Sequence, residues 1–107
     1  MSWIFLIIAG VFEIGWPLGM KLSQNHPGSR FWWLLFSVGS MALSGYFLWL
    51  AQKDIPMGTA YAIWTGIGAV GAFGVGILWF HDPAGFFRIL SATLIVAGIV
   101  GLKLSSG

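Results

Sequence analysis

The sequence predicts an all-α membrane protein of four spans joined by short loops, and three observations predict it. Of its 107 residues, 58% are hydrophobic and only 7% are charged, with a mean hydropathy of +0.90. Soluble domains carry roughly a quarter charged residues, so this chain cannot cover its own surface with polar groups. Three polar stretches, each with a proline, interrupt the apolar sequence: "SQNHPGSR" at 23–30, "AQKDIP" at 51–56 and "HDPAG" at 81–85. The four segments between them, 3–22, 31–50, 57–80 and 86–104, are each about 19 to 24 residues, enough to cross a hydrocarbon core as a helix. Apolar runs of that length exceed any barrel strand. The length allows one domain, 1–107, with no room for a soluble one.

The first span opens "MSWIFLIIAGVFE", which lacks a basic n-region and an A-x-A cleavage pattern, and its apolar run continues past residue 13. It reads as a retained helix, not a cleaved signal. The second span carries Ser37, Ser40 and Ser44 at three- and four-residue spacing, one hydroxyl stripe. That stripe suits interhelical hydrogen bonds, bonds back to its own helix, or contact with a substrate. In the third span Tyr61 and Trp64 are i, i+3 neighbours and project together. Trp64 lies about 10 Å in from the helix start, too deep for an interfacial anchor, whereas Trp3, Trp32, Trp33, Trp49 and Trp79 sit near helix ends as anchors do. Gly66, Gly68 and Gly71 match the dinucleotide fingerprint G-x-G-x-x-G. That fingerprint needs a preceding strand and a distal acid, so these glycines read as close helix packing. The fourth span has no intramembrane charge; Ala97 and Gly101 form a small-xxx-small pair suited to a helix–helix contact, and Lys103 near its end can snorkel to the headgroups.

Charge and chemistry exclude several classes. The net charge is +2 with scattered basic residues, so nothing suggests nucleic-acid binding. Cysteine is absent, and the two histidines, His26 and His81, lie in loops without clustered carboxylates, so no metal or cofactor is expected. No nucleophile–base pair suggests an enzyme. Four spans place both termini and the second loop on one side, with Lys53 and Lys103; the other side holds Lys21, Arg30 and Arg88. Orientation follows Lys/Arg asymmetry, and two against three is almost none. Insertion in both orientations is therefore expected alongside the alternative of one weakly fixed orientation.

Glu13 is the one acid placed within a span; Asp54 and Asp82 are in loops. It sits about 16 Å from either end of its helix. Burying an ionised carboxylate there costs at least about 2.5–3.5 kcal/mol. A carboxylate that trades a proton for a cation fits that position, and so does a protonated one serving as an interhelical hydrogen-bond donor. Gly10, Trp16, Pro17 and Met20 share its face at helical spacing. Gly10 leaves space beside the carboxylate. Trp16 offers a cation–π face or an indole N–H to orient it. Pro17 lacks the N–H that would bond the Glu13 carbonyl, so a kink is expected at the carboxylate, either lining a polar cavity or only aiding packing.

These residues resemble the small multidrug resistance transporters. The resemblance rests on Glu13 in the first helix, "PMGTAYAIWTGIGAVGA" at the third and "GLK" at the C-terminus, and it covers the whole chain in length and loop positions. Trp16, three residues after Glu13, and Lys103 in "GLKL" are similar to the guanidinium-exporter branch. The resemblance implies an antiparallel, dual-topology homodimer, with a paired homologue as the alternative, in the bacterial inner membrane. It implies proton-coupled export of small organic cations through a shared pocket holding two copies of Glu13. By the same resemblance Trp16 and Ser44 orient Glu13, Tyr61 and Trp64 line or gate the pocket, and Gly10 and Lys103 match positions linked to substrate range. Pro17 departs from the family, which usually carries a small alanine-like residue there; a kink would widen the pocket.

Two readings compete with guanidinium export. A broader exporter would take quaternary ammonium or lipophilic cations. An accessory or structural membrane protein would use Glu13 only as interhelical glue.

Overall fold

A computed structural model describes residues 1–105, and these form four helices. They are α1 (Ser2–Asn25), α2 (Arg30–Ala51), α3 (Met57–Phe80) and α4 (Phe86–Ser105), with a short 3-10 turn at Pro27–Ser29 before α2. All four are long and apolar enough to cross a membrane. Consecutive spans alternate in direction, so α1 and α3 run the same way across the bilayer.

The loops follow from their breakers. At the end of α1, the His26 N–H bonds the Leu22 carbonyl at 3.0 Å, and Pro27 begins the 3-10 turn. Pro56 caps α3 in an extended conformation, φ −55° and ψ 143°. His81 stops α3 in the left-handed region, φ 57°, and the Asp82 N–H then bonds the Gly76 carbonyl at 3.0 Å.

α1 is the hub, packed along one side by α2 and along another by α3, while the α4 backbone approaches only α3. The buried core lies toward the end that carries the termini: Leu6, Ala51, Ile55, Ala60 and Ile63. There the α2–α3 loop folds back over the helices, and Ser2 Oγ donates to Asp54 Oδ2 at 2.6 Å, tying the start of α1 to that loop. The described chain is a slab, 47 × 34 × 16 Å. α4 buries none of its residues.

α1 is one continuous helix with Pro17 inside it, and the proline lacks the N–H that would bond the Glu13 carbonyl. Among the described residues no neighbour lies near the open side of Gly101, and Ala97 is exposed, so this pair lies on an uncovered face of α4. α4 instead reaches α3 through Ile95 and Ile99, which close on Gly66.

Candidate functional site

Glycines on α3 bring the carboxylate to its place. A side chain at Gly68 would lie 3.0 Å from Glu13 Cβ and closer still to Cγ, and one at Gly71 would overlap Ile14. Without those side chains α3 sits directly against α1, and the Glu13 stem lies across the backbone of Gly68. Gly66 does the same work on the opposite flank, toward α4. The glycine motif is a packing device, as its apolar context predicts. Gly10 behaves likewise. Its open side is filled by Ile67, with Cγ2 at 2.6 Å and Cβ at 2.8 Å from an added Cβ. It admits α3 and does not leave space beside the carboxylate.

The Trp16 indole N–H donates to Glu13 Oε1. Of the two roles open to Trp16, this arrangement uses the donor. A cavity of about 370 Å³ lies over the pair, and Glu13, Trp16, Pro17, Tyr61, Trp64 and Gly68 are among its walls. The Tyr61 and Trp64 rings stand together, centroids 5.4 Å apart. The cavity thus places one carboxylate among three aromatic rings, a setting for a flat or weakly hydrated cation.

The hydroxyl stripe of α2 faces α1. Ser37 Oγ donates to the Trp16 carbonyl at 2.8 Å, and Ser44 Oγ donates to the Ala9 carbonyl at 2.7 Å. Ser40 lies against Gly15. Ser44 is nearly fully buried and also accepts the Trp64 indole N–H at 2.7 Å. Its hydrogen-bond partners are therefore Ala9 and Trp64, and it reaches the cavity through Trp64. The anchoring of Trp64 by Ser44 was not expected from spacing, because the two belong to different helices.

Lys103 stands apart from this cavity. Its ammonium lies over the Trp3 ring, 4.5 Å from the centroid, at the membrane face that carries the termini. A lysine in the last turn of α4, near the membrane face with its ammonium over an aromatic ring, is placed as a snorkelling residue is.

A family model described as Small Multidrug Resistance protein matches residues 1–95. The chain is 51% identical over 106 residues to a guanidinium exporter of Salmonella typhi, covering 99% of each chain. It is 49% identical to a guanidinium exporter of Yersinia pestis, over 99% of this chain and 100% of the relative. A guanidinium exporter of Proteus vulgaris is 47% identical over the same shares.

Proposed function

The chain belongs to the small multidrug resistance family, and on that basis we propose that it is a proton-coupled antiporter that exports guanidinium and substituted guanidines. It is a multi-pass protein of the bacterial inner membrane. The observation that carries the proposal is Glu13: a carboxylate at the centre of a span, held by the Trp16 N–H, in a cavity walled by Tyr61 and Trp64. Guanidinium is planar and matches a carboxylate fork bidentately, and an aromatic wall favours its weakly hydrated face.

The working unit in this proposal is an antiparallel homodimer with two copies of Glu13 in one pocket. The thin slab and the unburied α4 support it, since both leave wide apolar faces for a second copy or lipid. Two ionised carboxylates facing each other repel. A proton relieves that repulsion from one side of the membrane and a cation from the other. Occupancy by one excludes the other, which is the minimum requirement for exchange. Alternating access then follows if the two identical chains swap conformations.

Glu13→Gln removes the titrating group and keeps the side-chain shape. In solid-supported-membrane electrophysiology on reconstituted protein, wild type gives a guanidinium-evoked current under a proton gradient and the variant gives none. Proton-driven export persisting in the variant rules out this role for Glu13.

A further inference from the structure

The seam between α3 and α4 holds a groove of about 500 Å³. Val70 and Phe73 wall it on α3, and Phe87, Ala92 and Ile95 on α4. Arg88, in the first turn of α4, is the one charged residue on its walls. At the deep end the groove closes where Ile95 and Ile99 come down on Gly66. From Arg88 to Ile95 is about 10 Å along the helix. The groove is thus apolar and blind, with a cation at the end nearer the membrane face.

The guanidinium is fixed in place with donors to spare. Its carbon lies over the Phe73 ring, 5.1 Å from the centroid, and its Nε donates to the Pro83 carbonyl at 2.7 Å. Those two contacts leave the terminal amino groups, which pair with a phosphate as a fork. The three acids of the chain are placed elsewhere. Glu13 accepts from Trp16, Asp54 accepts from Ser2 at the opposite membrane face, and Asp82 lies against Gly76 in the α1–α3 seam.

We infer that this groove binds an anionic phospholipid, its phosphate on the Arg88 fork and an acyl chain along the seam. Charge decides the occupant. A basic pocket between spans near the membrane face suits an anionic headgroup. α4 carries no acid, so a second copy of it laid in the groove brings only a cation to this end. Running parallel it would set Arg88 against Arg88, and running antiparallel it would set Lys103 there. The lipid also gives α4 a second attachment to α3, the only helix its backbone approaches.

The test titrates full-length protein in detergent with phosphatidylglycerol and phosphatidylcholine of matched acyl chains, counting bound lipid by native mass spectrometry. Wild type should retain phosphatidylglycerol in preference. Each basic residue at a membrane surface favours anionic lipid by about fivefold. A charge-assisted fork exceeds that, so Arg88→Gln should weaken phosphatidylglycerol by about tenfold or more. Arg30→Gln removes the same charge from the same face and should cost no more than the surface effect. Arg88→Lys keeps the charge without the fork and should recover only part of the loss. Ala92→Phe fills the groove without touching the Glu13 cavity, and should weaken the lipid with Arg88 intact. If Ala92→Phe does not fold, excess inorganic phosphate decides, since a lipid held by its chain should stay bound. Displacement by phosphate, equal retention of the two lipids, or equal losses in Arg30→Gln and Arg88→Gln would each overturn the inference. So would a lipid-free dimer that Ala92→Phe separates, which would seat a second copy in the groove.

Discussion

Ser44 shows how far a single hydroxyl reaches in this molecule. It accepts from Trp64 and donates to the Ala9 carbonyl, joining α2 to both α3 and α1. Ser44→Ala breaks both bonds and leaves the Trp64 N–H without its partner. Interhelical hydrogen bonds inside membranes average about 0.6 kcal/mol each, so the loss should be on the order of 1 kcal/mol in thermal unfolding in detergent. The larger effect should fall on the site: with Trp64 released, guanidinium affinity drops several-fold, read by titrating the tryptophan fluorescence. An unchanged affinity would show that Trp64 is held by packing alone. Glu13 was legible in the sequence because it is the one acid inside a span, and Trp16 followed from i, i+3 spacing. The Ser44–Trp64 bond was not legible, since periodicity gives the face of each helix and not how two faces are rotated against each other.

Helices α1 and α3 make the site by approaching closely, and glycines set the distance. Gly68→Ala inserts a methyl group 3.0 Å from Glu13 Cβ, and overpacking of this kind costs about 1–3 kcal/mol. Gly74, on the same helix, has open space at the same atom, where Gly→Ala gains up to about 1 kcal/mol of helix propensity. Gly68→Ala should lower guanidinium affinity at least tenfold, while Gly74→Ala should leave affinity unchanged and melting temperature equal or higher. Paired titrations and melting curves on the two variants check this. Helix boundaries were legible to within about three residues because proline and the polar clusters mark them. Which helices hold α1 around Pro17 was not: α2 and α3 both pack against it, and the pattern of a single span names neither.

For the whole chain, the count of basic residues on the two faces is what bears on orientation. Lys53 and Lys103 oppose Lys21, Arg30 and Arg88, and orientation follows such differences. Two lysines added to the α2–α3 loop should drive that loop to the cytoplasmic side and, under the antiparallel proposal, abolish export. Coexpression with a variant biased the other way should restore it. Accessibility labelling of a C-terminal tag on each membrane face reads the orientation, and a single, fully fixed orientation that still exports would contradict dual insertion. The membrane class was legible from composition alone. Which faces stay unburied was not, because α4 carries no charge between Arg88 and Lys103 and sequence cannot separate lipid from a second chain. The mechanism itself comes down to one competition, a proton against a cation at Glu13. Guanidinium binding to purified protein, followed by tryptophan fluorescence across a pH series, tests it directly. The dissociation constant should be flat at high pH and rise as pH falls, approaching about tenfold per pH unit for each proton displaced, with protons released on binding. A dissociation constant independent of pH, with no proton release, would contradict it.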